Sequence, residues 1–279
     1  MALPRPFLRA ALAFCLMGGA LSAHAELMLN PTRVVFNKNQ RAAQVELINN
    51  GSEAATYRIS LVNRRMTETG EFQSIDTPGE GELFADPILS YSPRQITLQP
   101  GTAQVVRIMV RKPDGLADGE YRSHLHFEKL PDPKGITSVD AASAPRQQIG
   151  VIVNTLIGSS IPVIVRHGAT EASVALTGLA LQGGADGFQL AFHMDRSGNS
   201  SVYGDLAASF VGTGAGGIEH EVGKAGGVAV YAPNPLRRAA LPLHAPAGVK
   251  LEHGTLRLTY RERPEAGGRV LAQATLALP

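Results

Sequence analysis

Cysteine is almost missing from this sequence of 279 residues; the single example is Cys15. It falls in a stretch that reads as a removable export leader. Arg5 and Arg9 give a positive start, Ala10 to Leu21 is an apolar run, and Ala23-His24-Ala25 has the small-x-small form of a cleavage site. The chain from Glu26 onward is therefore expected to carry neither disulfide nor thiol chemistry, although an exported compartment permits disulfides. No later stretch reaches the ~18 apolar residues that a spanning helix requires, which excludes direct membrane insertion. Excess charge is lacking too. Without Arg5 and Arg9, the 26 basic residues come level with the 24 acidic ones, so no general attraction to nucleic acid or anionic membrane follows.

Chemistry-bearing patterns are equally scarce. No Gly-x-Ser-x-Gly elbow occurs. Gly212 to Gly217 holds part of a dinucleotide fingerprint, but no strand–helix context surrounds it, and it reads as a hairpin loop. His124 and His126 share one face of a strand, yet spacing places no third ligand beside them; they read as solvated histidines next to Arg122 and Glu128. An enzyme, a cofactor and a metal site are all disfavoured.

What the sequence has is alternation. Val45 and Leu47 alternate with Gln44 and Glu46, and Tyr57, Ile59 and Leu61 follow after the turn Asn49-Asn50-Gly51-Ser52. A hairpin tip is expected near Thr69-Gly70. Val106, Ile108 and Val110 oppose Arg107 and Arg111, and Tyr121, Ser123, Leu125 and Phe127 alternate with Arg122, His124, His126 and Glu128. About seven short strands without an amphipathic helix indicate a β-sandwich. The longest extended stretch runs from Ile149 to Val165, with Ile149, Val151, Val153, Thr155 and Ile157 on one face and Ile161, Val163 and Val165 continuing the parity. An unpaired edge there is an aggregation hazard unless another chain is meant to cover it. After Gly168 the composition shifts to short Ala/Gly-rich strand runs. The expected organisation is a leader over residues 1–25, a first domain over 26–166 and a smaller β-sandwich over 167–279.

Arg33, Arg94, Arg107, Arg122 and Arg166 lie on or beside strands of the first domain. Singly, each reads as a solvated strand-face arginine. Several together in a cleft between two sandwiches would bind a carboxylate through paired guanidinium hydrogen bonds.

Four segments resemble the periplasmic chaperones of chaperone–usher pilus assembly, the PapD-like family: Asn30-Pro-Thr-Arg33-Val-Val-Phe36, Ser92-Pro-Arg-Gln-Ile-Thr-Leu-Gln-Pro-Gly101, Tyr121-Arg-Ser-His-Leu125 and Ser160-Ile-Pro-Val-Ile-Val-Arg166. The wording of the last two is most similar to the archaic branch, which serves spore-coat-U-like pilins. The resemblance implies an all-β protein of two immunoglobulin-like β-sandwich domains in a boomerang arrangement, located in the periplasm. Its partners would be pilin subunits and an outer-membrane usher, and the subunits would be capped by donor-strand complementation. Ile149, Val151, Val153, Thr155 and Ile157 would be the donated set. In other branches an arginine and a lysine hold the subunit's C-terminal carboxylate. Arg33 matches the arginine, Pro162 stands where the lysine would be, and Arg94 is expected to supply the second charge, with Arg122 in reserve. Arg166 would orient the domains through Glu120 or Glu262. A secreted pilus subunit or adhesin is the alternative, but the mature N-terminus enters a strand almost at once instead of offering a donor extension. Whether the free protein shields its exposed strand by self-association is left open.

Overall fold

The computed structural model describes residues 27–131, 158–184, 187–213 and 217–279, so the leader and the residues Ile149, Val151, Val153, Thr155 and Ile157 lie outside the described residues. The first sandwich contains β1 (Leu27–Asn30), β2 (Val34–Phe36), β3 (Ala42–Asn49), β4 (Ala55–Val62), β5 (Arg64–Met66), β6 (Phe72–Ser74), β7 (Leu89–Ser92), β8 (Gln95–Leu98), β9 (Ala103–Val110), β10 (Gly119–Lys129) and β11 (Gly158–His167). One sheet has the order β1-β3-β9-β7, the other β2-β11-β10-β4-β8, and β5 and β6 form a separate hairpin. The second sandwich contains β12 (Ala172–Gly184), β13 (Gly187–Gly198), β14 (Val202–Gly212), β15 (Glu219–Val230), β16 (Leu236–Leu243), β17 (Gly254–Glu262) and β18 (Val270–Leu278). Its sheets have the orders β12-β13-β16 and β15-β14-β17-β18.

Period-two alternation builds both cores. On β9, Val106, Ile108 and Val110 turn inward while Val105, Arg107 and Met109 face solvent. With Val45, Leu47, Leu125 and Phe127 they form the first core. Phe192, Phe210, Leu258 and Tyr260 centre the second. Each such side chain contributes about 1.5–3 kcal/mol on burial. Two residues of the first sandwich, Met66 and Ile164, belong to the second core. β11 therefore serves both: Ile161, Val163 and Val165 face the first core and Ile164 the second.

β10 departs from simple alternation because both of its faces are covered. The histidines expected to be solvated are not: His124 is buried and His126 half-buried. The hairpin β5–β6 lies over that face, with Phe72 edge-on to the His124 ring at 5.2 Å between centroids.

The pairing of β11 is uneven. It runs antiparallel to β10 along its whole length, from Gly158↔Glu128 to His167↔Gly119. On its other side β2 pairs, in parallel, with Val163, Ile164 and Val165 alone. Among the described residues, the edge from Gly158 to Pro162 has no strand on it.

Candidate partner-binding cleft

Four elements bring cations to the seam between the sandwiches. Arg33 immediately precedes β2, Arg122 projects from the second-domain side of β10, Arg64 opens β5, and Arg237 lies on β16. Tyr231, just after β15, is the centre of the group. Its hydroxyl accepts a hydrogen bond from Arg33 Nη1 at 2.8 Å. The Arg122 guanidinium lies 4.3 Å from the centre of the same ring, and Arg33 also stacks on Tyr203 at 4.4 Å. Aromatic faces attract guanidinium groups while leaving their N–H edges available.

Those edges are under-used. Arg122 Nη1, Arg64 Nε and Arg237 Nε are buried without a hydrogen-bond partner among the described residues, as are both ring nitrogens of His124. Burial lowers the pKa of Arg122, against the pull of Tyr231, Glu120 and Glu82. The two nearby carboxylates are already engaged. Glu82 accepts from Arg65 Nε and Nη2 at 2.7 and 2.6 Å, and the Arg65 hydrogen bond holds its carboxyl below the usual range. Glu120 accepts from Arg166 Nε at 3.0 Å and from the Ser201 backbone N–H at 3.1 Å. It also takes a short hydrogen bond from the Ser201 hydroxyl. The open N–H groups of Arg122, Arg64 and Arg237 are able to donate to an anion, because an unmade buried hydrogen bond costs about 1–3 kcal/mol.

Burial also pushes the pKa of His124 down to about 3, with Arg122, Arg64 and Arg33 adding to the effect. The imidazole is therefore neutral at ordinary pH. Among the described residues no group of three or more His, Cys, Asp or Glu side chains could hold a metal ion.

The expected anchor residues are thus only partly brought together. Arg33 and Arg122 meet across Tyr231; Arg94 does not join them. Its segment crosses from β7 in one sheet to β8 in the other, at the edge of the β2-β11-β10-β4-β8 sheet farthest from β2. That separation is about 19 Å at the usual strand spacing. Arg94 is exposed and bonds Tyr91 instead, Nη1 to hydroxyl at 3.1 Å. Arg166 meets Glu120 and donates through Nη2 to the Ser201 carbonyl at 3.2 Å. Glu262 does not meet Arg166: it closes the β17–β18 hairpin by pairing with Arg269 at 3.0 Å.

Sequence reasoning missed Tyr231, Tyr203, Phe72 and Ser201. They lie in turns or at strand ends where alternation carries no information. The one usable hint was scarcity: in a chain with 5% aromatic residues, Phe72 stands beside a loop and outside any apolar run.

The family model described as "Pili and flagellar-assembly chaperone, PapD N-terminal domain" matches residues 26–167. No curated protein matches the chain. Similar solved structures include the YadV chaperone, at 10% identity and a TM-score of 0.45, with 91% of this chain and 100% of that chain covered. The Pseudomonas aeruginosa CupB2 chaperone shows 16% identity, a TM-score of 0.42 and coverage of 90% and 100%. A third is the CsuC–CsuE chaperone–tip adhesion subunit pre-assembly complex from the archaic chaperone-usher Csu pili of Acinetobacter baumannii. It shows 13% identity, a TM-score of 0.45 and coverage of 91% and 98%.

Proposed function

Because the chain belongs to the family of pili and flagellar-assembly chaperones, non-enzymatic proteins of two β-sandwich domains, we propose that it caps pilin subunits by lending them a strand and passes them to an outer-membrane usher. The observation that carries this reading is the half-open edge of β11, paired by β2 at Val163 to Val165 only. In the sequence just before this strand, Ile149, Val151, Val153, Thr155 and Ile157 recur at every second position; these are the residues assigned to the lent strand, each large apolar one able to contribute about 1.5–3 kcal/mol when buried in an incomplete subunit. Thr155, small and polar, leaves one pocket underfilled, so that a better-fitting strand can replace it later.

The subunit's C-terminal carboxylate is assigned to Arg33 and Arg122. This pair takes the place of the arginine–lysine pair of other branches, with Arg94 removed from it. Two cations matter because a carboxylate buried against a single one is poorly compensated for desolvation. Arg166 and Glu120 form the joint between a first domain over 26–166 and a second over 167–279. Export through the leader over residues 1–25 and a periplasmic location complete the reading. The described residues contain no helix long and apolar enough to cross a membrane. The segments quoted above favour the archaic branch and its spore-coat-U-like pilins.

Co-expression with a cognate pilin provides the test. Changing Val151 and Val153 together to Asp should abolish the complex while leaving the chaperone soluble. Arg33→Ala and Arg122→Ala should each weaken capture roughly tenfold or more, whereas Arg94→Ala should not. A complex that survives the Val151/Val153 change overturns the strand assignment. Full capture by the Arg122 variant removes that residue from the anchor.

A further inference from the structure

The hairpin β5–β6 has too little surface of its own to be a domain, and it does not simply lie on the first sandwich. Its Met66 is 2% exposed and packed in the core of the second sandwich. The Met66 carbonyl accepts from Asn234 Nδ2 at 2.5 Å. At the turn, the Glu68 carbonyl accepts the Arg238 backbone N–H at 2.7 Å, which places the hairpin tip on the side of β16 away from β13. The Glu68 carboxylate stands 3.3 Å from Arg238 Nη2. On the return strand, Phe72 covers His124 and tilts against Tyr231 at 5.9 Å between centroids, yet remains 41% exposed. Within the first domain the hairpin is held at its root by the Arg65–Glu82 ion pair.

We propose that this hairpin is a clasp between the domains: Met66 plugs it into the second sandwich, and Phe72 forms the flank of the Arg33–Arg122 site. Met66 and Phe72 are thereby positioning residues. Arg33 comes from one sandwich and its phenol partner Tyr231 from the other, so their 2.8 Å contact exists only while the sandwiches keep their spacing. A knob from one domain seated in the other's core fixes that spacing, since close-packed cores yield little to sliding. Phe72 then keeps water from the side of Arg122 that faces the hairpin, which strengthens an ion pair formed there. This second half rests on the reading of Arg33 and Arg122 as a carboxylate anchor; the clasp itself does not.

The exported chain has no cysteine if the leader is removed, so spin labels can be placed at Gln104→Cys and Glu252→Cys, one exposed site in each sandwich. Pulsed electron resonance on the parent should give one narrow distance distribution. Met66→Asp should broaden it, and Met66→Ala, a milder change that keeps the second core apolar, should broaden it less. Folded Met66 variants that retain the parent's narrow distribution overturn the clasp; should the Asp variant unfold, the Ala variant decides. The anchor is read separately with a labelled peptide of alternating Val and Thr ending in a free carboxylate, against the same peptide amidated. The parent should prefer the acid roughly tenfold, Phe72→Ala should lose most of that preference, and Phe72→Tyr should restore it. An unchanged preference in Phe72→Ala rejects the flank. A parent that does not discriminate rejects the anchor, while the spin-label result continues to decide the clasp.

Discussion

His124 shows what a single residue contributes to the cleft. Its imidazole is 2% exposed and faces Arg122, Arg64 and Arg33, with Phe72 against its ring. A proton there meets both desolvation and three positive charges, which is why its pKa falls to about 3. Between pH 6.5 and about 3 the unfolded chain binds a proton on this side chain that the folded chain does not. Stability is therefore lost as the pH falls, by about 2 kcal/mol between pH 7 and pH 5 from this group alone. His126, also lowered by burial, acts in the same direction. Denaturant midpoints measured across that range should decline towards acid in the parent, and His124→Gln should flatten the slope by more than half. In Phe72→Ala, ring-proton NMR should show the His124 midpoint moving up towards the ordinary range. A slope unaffected by His124→Gln would contradict the burial argument. Little of this was legible beforehand. Alternation correctly separates His124 from the Tyr121–Leu125–Phe127 face, but it cannot tell that a hairpin more than fifty residues earlier returns to cover the other side. Arg33 could be found from its position after Asn30-Pro-Thr. Arg94 has a local sequence as distinctive; only sheet order reveals that it sits at the edge opposite Arg33.

Elements were legible where side chains alternate and obscure where glycine replaces them. β9 follows its pattern almost residue by residue, whereas β10 keeps its apolar face but has its polar face covered as well. By contrast, β15 extends from Glu219 to Val230, whereas only Val228 to Tyr231 reads as extended from composition. Gly223, Gly226 and Gly227 interrupt its pattern, and the β14–β15 register shifts twice. The glycines have distinct physical reasons. At Gly204 on β14 a Cβ would collide with the backbone carbonyl of Arg261 on β17, so the close approach of two strands requires a residue without a side chain. Gly248 has φ +84° and nothing within 4 Å of where a Cβ would be, so substitution there meets backbone strain alone. Gly248→Ala should therefore cost about 1–2 kcal/mol, and Gly204→Ala, which forces β14 and β17 apart, about 2 kcal/mol or more. Urea denaturation of both variants ranks them directly. A smaller loss at Gly204 than at Gly248 would show that the β14–β17 pair can shift without penalty.

Over the whole molecule, each sandwich has a core of its own, and what joins them is narrow but unusually buried. The Glu120 side chain is 1% exposed. It belongs to the first sandwich, yet two of its donors, the Ser201 hydroxyl and backbone N–H, come from the second. The turn bearing Ser201 is itself fixed by Arg196, whose guanidinium donates to the carbonyls of Gly198, Ser200, Pro233 and Asn234. Ser201 Oγ also accepts the Ala232 backbone N–H at 2.9 Å, which links this joint to the segment presenting Tyr231. The carboxylate and the β5–β6 hairpin therefore hold the seam from two sides, and the Arg33–Tyr231 contact lies within the span they fix. Removing the carboxylate leaves Arg166 and the Ser201 donors without their acceptor, a loss of about 2–4 kcal/mol by analogy with broken buried pairs. Arg166 keeps some solvent access, so the lower end of that range applies. Because the loss falls on the joint and spares both cores, it should uncouple the domains. Calorimetry should give one cooperative transition for the parent and two for Glu120→Ala. Glu120→Gln, which can still accept from Ser201 but cannot pair with Arg166, should lie between them. If Glu120→Ala melts in a single transition of unchanged width, the two sandwiches are coupled by packing, and the carboxylate is not what ties them.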